Sequence, residues 1–165
     1  MQSFFVWLEA TAFSTWLRES PSVLAFPTIL TVHSVSMGFL AGVSATVDLR
    51  ILGFIPRVPL LEMKRFVPVL WTFFWISAVT GIALIISYPT KALTNPIFYV
   101  KLGFIALALI VLRLIAKHVF RNPLLDQDSV PAKLRILAVV SLVCWIGLIV
   151  AGRSLAYTHG RLLAT

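Results

Sequence analysis

The chain has 165 residues, 59% of them hydrophobic and only 12% charged, with a mean hydropathy of +0.97 and a formal net charge of +8. Soluble domains are about 45–50% apolar and about 25% charged, so this chain cannot cover its surface with polar groups in water. The basic residues sit in short connections between apolar runs, which excludes nucleic acid as the partner and points to anionic lipid.

Residues 1–19 lack a basic start, a clean apolar centre and a small-residue cleavage site, so no cleavable signal peptide is expected there. Phe5, Leu8, Ala12, Phe13, Trp16 and Leu17 fall on one side of a helical wheel, with Thr11, Ser14, Thr15 and Arg18 on the other. That pattern predicts an amphipathic helix lying in the headgroup layer. Glu9 breaks the apolar arc, either as a partner for a basic residue or by tilting the helix.

Four apolar stretches follow, over residues 23–47, 67–88, 98–118 and 135–157. Each reaches the roughly 20 residues a helix needs to cross a bilayer. Only helices and closed barrels satisfy their backbone in lipid, and runs such as Ile105 to Leu114 lack the alternation of a barrel strand. The predicted fold is an all-α, single-domain membrane four-helix bundle with an N-terminal interfacial helix. Ser20-Pro21 and Asn95-Pro96 each place a capping side chain before a proline, and Pro27 is expected to kink the first span mildly. Asp48 and Arg50 close that span as an expected interface pair leading into a charged 48–66 connection. Residues 89–97 form a turn, and 119–134 a second charged connection with Asp126-Gln127-Asp128. Trp75-Ile76 before Gly81 and Trp145-Ile146 before Gly152 give a faint internal echo. The lone Cys144 cannot form an intramolecular disulfide.

Ionisable residues inside spans are costly and are functional candidates. At about 1.5 Å of rise per residue, His33, Lys101 and Arg153 fall in one layer near the end that carries both termini, with His159 just beyond it and Tyr88 and Tyr157 at interface height. Such a layer suits an anion: haem propionates, a quinone head, a lipid phosphate or a carboxylate. The plainer alternative has Lys101 and Arg153 snorkelling to headgroups or pairing with Glu19. Haem b held by two histidines needs imidazoles at one depth. His118 lies at the far end of its span, and His159 serves only if the chain folds back after Tyr157. His33 with Met37, one turn on, is a soft pair suited to copper(I), although methionine is also an ordinary apolar filler. No nucleophile–base pair, phosphate loop or CxxC motif is present.

Orientation follows from the Lys/Arg bias. Arg50, Arg57, Lys64, Arg65, Lys117, Arg121, Lys133 and Arg135 gather on one side, against Arg18, Lys91, Lys101, Arg153 and Arg161 on the other. The positive-inside rule makes the richer side cytoplasmic and both termini external.

Glu19-Ser20-Pro21, Phe26-Pro27, His33, Val47-Asp48-Leu49-Arg50-Ile51-Leu52-Gly53, Asn95-Pro96-Ile97-Phe98 with Lys101, and Ala151-Gly152-Arg153 with Ala156-Tyr157 together resemble a bacterial four-helix inner-membrane family. That family is a domain of unknown function with an Asp-Leu-Arg-x-Leu-Gly motif, loosely similar to the copper-resistance membrane protein of the D type. The resemblance spans nearly the whole chain. It implies a multi-pass protein of the bacterial inner membrane with periplasmic termini, and it marks His33, Asp48, Arg50, Lys101 and Arg153. Three functions stay open: a b-type haem or quinone-contacting electron-transfer subunit, an accessory subunit of a larger membrane complex, and a copper or small-solute handling protein. Other membrane subunits or a second copy are expected partners, since Gly38, Gly42 and Ala45 give the first span a small-residue face that serves either a partner or internal packing.

Overall fold

A computed structural model describes residues 2–22, 24–119 and 130–162, the side chains of 2–4 and 156–162 excepted. Among the described residues the chain is helical and has no strand. Two short helices, α1 (Gln2–Glu9) and α2 (Ala12–Glu19), precede four long ones. The long helices are α3 (Phe26–Leu52), α4 (Val67–Ser87), α6 (Pro96–Val119) and α7 (Ala132–Leu162), with a one-turn α5 (Pro89–Leu93) between α4 and α6. A 3-10 helix, Leu61–Phe66, leads into α4. Each expected span is matched by a helix long and apolar enough to cross a bilayer, the architecture of a multi-pass membrane protein.

Local chemistry sets the boundaries, and several differ from the sequence reading. Pro27 lies in the first turn of α3 and therefore helps start that helix, where its missing N–H has no partner to lose, instead of kinking it. Ser20 ends α2 and does not cap the first span. Asn95 behaves as expected, its Oδ1 accepting from the Ile97 N–H at 3.0 Å at the head of α6. Gly53 ends α3 in the left-handed region, φ 93°, its N–H on the Arg50 and Leu49 carbonyls.

Around the bundle α3 packs against α4 and α7, and α7 packs against α6. The α4–α6 side is looser. There a cleft lined in part by Leu70, Trp71, Leu112 and Ile115 opens, and the Arg113 guanidinium lies 5.4 Å from the Trp71 ring centre across it. Leu40, Ala41, Leu70, Ala108, Cys144, Trp145 and Leu148 fill the middle of the bundle. A second cluster, including Val47, Ile51, Leu60, Met63, Ile115 and Leu134, fills the end opposite the termini, here called the hairpin end. Outward positions stay apolar: Trp75, Val79, Val143 and Ile146 are all about three-fifths exposed, the inverse of a soluble surface. Trp75 thus faces out while Trp145 is buried, so the two halves of the internal echo occupy different environments. Hydroxyls on the outer faces turn back on their own helix, as Thr31 does to the Pro27 carbonyl and Thr46 to the Gly42 carbonyl, both at 2.8 Å.

The N-terminal segment is two helices where one was expected. Thr11 stands between them in an extended conformation, donating to the Leu8 carbonyl at 2.8 Å and accepting from the Ser14 N–H. Its buried side is Ser14 with Leu17, so the aromatic arc is turned away from the bundle, with Phe13 and Trp16 exposed. The helical wheel puts Ser14 on the polar face, yet its hydroxyl donates to the Ile86 carbonyl at 3.0 Å, near the end of α4. Glu9 accepts from the Thr90 hydroxyl at 2.8 Å and from the Thr90 N–H, satisfying the start of α5. Arg18 donates to the Glu9 carbonyl at 2.8 Å.

Candidate functional site

Two polar sites lie inside the bundle, separated by the apolar middle cluster. The first is near the terminal end. His33 projects from α3 toward α4, where its Nδ1 lies 3.0 Å from the Ser77 carbonyl oxygen and 3.1 Å from Thr80 Oγ1. Thr80 spends its own proton on the Ile76 carbonyl at 2.7 Å, so both neighbours accept and Nδ1 carries the hydrogen. The lone pair of a neutral ring is then on Nε2. Gly81 leaves room for this seating, since a Cβ there would come 3.1 Å from His33 Cε1, a tight contact. Lys101 of α6 is half-buried in the same end of the bundle.

Arg153, the third basic residue of the expected layer, is not drawn in here. Arg153 is exposed on α7, and no ion pair joins Glu19 to Lys101 or Arg153 among the described residues. The side chains of His159 and Tyr157 lie outside the described residues. The α7 backbone stays helical to Leu162, so the chain does not fold back after residue 157. His159 is therefore carried about 9 Å beyond Arg153 along the axis. His118 sits at the other end of α6, its Nδ1 donating to the Leu114 carbonyl at 2.7 Å. His118 thus does not place a second imidazole opposite His33. Met37 packs against the middle cluster. No three His, Cys, Asp or Glu side chains come together among the described residues.

The second site is in the hairpin half, around Asp48, which the resemblance marks but the sequence reading puts at the interface. Asp48 and Arg50 do not form the expected pair. Helix α3 runs on to Leu52, which draws Asp48 inside at 1% exposure, while Arg50 Nε donates to the Val58 carbonyl. On α3, Ser44 and Asp48 are one turn apart; on the antiparallel α7, Ser141 and Trp145 are one turn apart. Ser141 hydrogen-bonds the Asp48 carboxyl, and one turn further toward the terminal end the same register sets Ser44 level with Trp145. All four are buried, and Asp48 Oδ2, Ser44 Oγ and Trp145 Nε1 have no hydrogen-bond partner. The available signal was the run Ser36, Leu40, Ser44, Asp48 along one helical face, which continues the buried stripe past the expected end of the span.

Comparison with protein-family models, with curated proteins and with solved structures finds no match.

Proposed function

We propose that the protein is a membrane electron-transfer subunit that binds a quinol or quinone head group at His33 and Lys101. The observation that carries this is the fixed imidazole. With Nδ1–H spent on the Ser77 carbonyl, Nε2 offers a lone pair to a quinol hydroxyl. The Lys101 ammonium can donate to the other ring oxygen. Haem iron would take the same Nε2, so a single-histidine haem is the outcome that would replace the quinone, and copper on His33 and Met37 is the other.

The lipid setting supports this reading. Arg113, which lies in the hairpin half of α6 beside Trp71, adds to the basic bias of that end. That favours a cytoplasmic hairpin end and periplasmic termini in a bacterial inner membrane. Exposed Trp7, Phe13 and Trp16 suit an N-terminal pair seated at the headgroups.

The test is a titration of detergent-purified protein with a short-chain quinone, read by tryptophan quenching, alongside an absorption spectrum and metal analysis. Saturable quenching weakened about tenfold or more in His33→Ala supports the reading, as loss of one hydrogen bond to a polar head predicts. Equal affinity in wild type and variant rejects it. A Soret band lost in the same variant, or bound copper lost in Met37→Leu, replaces it.

A second reading, the accessory subunit, has one observation in its favour. Gly38 and Gly42 face away from the bundle with nothing within 4 Å of an added Cβ, in a shallow groove of about 400 Å³ edged by Val35, Phe39 and Thr46. Another helix can approach closely there.

A further inference from the structure

We infer that Ser44, Asp48, Ser141 and Trp145 form a binding site for one monovalent cation, a sodium ion or a proton, inside the hairpin half of the bundle. This inference does not rest on the quinone reading.

A carboxyl group at 1% exposure cannot keep an uncompensated charge in a low-dielectric interior. No ion pair compensates it among the described residues. Arg50, two residues on, has its Nε turned to the Val58 carbonyl. Arg113 and Lys117 of α6 and Lys133 and Arg135 of α7 are exposed, and His118 is bonded to its own helix. Helix α4 contains no ionisable residue, and the connection contributes Leu60 and Met63 to the neighbouring cluster.

The unmet atoms define what fits. Asp48 Oδ2 and Ser44 Oγ are oxygen acceptors without donors, and Ser141 adds a third oxygen beside the carboxyl. Oxygen ligands select a hard cation, and one carboxylate balances a single positive charge. Trp145 Nε1 is a donor without an acceptor, which a bare ion cannot satisfy. A water in the ion's shell does so, and so does a water bridging to a protonated carboxyl. The two occupants make the same demand on the site: one positive charge delivered to Asp48 with a water at the indole.

The experiment uses the full chain in lipid nanodiscs. Thermal unfolding is followed as sodium replaces choline at constant ionic strength, then across neutral pH without sodium. A saturable sodium-dependent rise in Tm, lost in Asp48→Asn and with its midpoint raised about tenfold in Ser44→Ala, assigns the ion as sodium. A Tm that ignores sodium but depends on pH, and loses that dependence in Asp48→Asn, assigns the proton. Absence of both dependences in wild type, or their survival in Asp48→Asn, overturns the inference. Should Asp48→Asn fail to fold, Ser44→Ala and Trp145→Phe decide: a response unchanged in both overturns it, and a weakened response in either supports it. Quinone binding in the same samples is read separately at His33, so failure of one proposal leaves the other standing.

Discussion

The two polar sites differ in how their groups are satisfied. At the terminal end, His33 is tied to the carbonyl and hydroxyl of a neighbouring helix, and Thr80 is tied in turn to Ile76. In the hairpin half, Asp48, Ser44 and Trp145 are buried more deeply and each keeps an atom with no partner. A group wired to backbone is held in one orientation and offers one free atom to a visitor. A cluster with unmet donors and acceptors costs stability until something fills it. The terminal site is thus preorganised, and the hairpin site waits for its occupant.

The apolar middle keeps the two apart, and breaking it should give the largest effect. Helices α6 and α7 meet where Gly147 faces Phe104, and a Cβ on Gly147 would lie 2.7 Å from the tip of that ring. Gly147→Val should lower stability by about 1–3 kcal/mol in mixed-micelle unfolding, the usual cost of overpacking. Phe104→Leu in the same chain should restore most of it. No loss in Gly147→Val would mean the α6–α7 seam is loose and does not divide the halves.

The next effect has the opposite sign. Without sodium and at neutral pH, Asp48→Asn should unfold at the same or a higher temperature than wild type, a gain of up to about 2 kcal/mol, because it removes a buried acid that lacks a charged partner. A clear loss would show that the Ser141 bond outweighs the burial cost and that the carboxyl is structural. In contrast, Thr80→Val at the wired site should cost about 1 kcal/mol, the ordinary worth of a hydrogen bond. It should also weaken quinone binding by freeing the ring to turn.

Depth explains which parts of the sites were legible. Residue counting puts His33, Lys101 and Arg153 at one level, and His33 and Lys101 are both half-buried there. Counting along a helix says nothing about which way a residue faces, and Arg153, at a similar level, is exposed. Asp48 was hidden for a different reason. Its neighbours Leu49, Arg50 and Gly53 look like the end of a span, and only the helix running to Leu52 turns it inward. The four long helices were readable because apolar length in lipid leaves few alternatives. The N-terminal segment was not. Its wheel pattern gave the apolar arc, but Thr11 breaks the helix and the carbonyls of α4, absent from any local pattern, decide which side docks.

That docking gives the smallest and most local prediction. Ser14→Ala removes the hydroxyl that reaches the Ile86 carbonyl but leaves Leu17 buried and Glu9 on Thr90. Global unfolding should shift by less than about 1 kcal/mol, since one of several contacts is lost. Amide exchange should instead rise in residues 12–19 and around Ser87–Thr90, where the pair of helices lies over the end of α4. The His33 site, whose partners Ser77 and Thr80 lie further down α4, should bind quinone as before. If Ser14→Ala weakens that binding as much as Thr80→Val does, the N-terminal pair belongs to the terminal site and is not simply its cover.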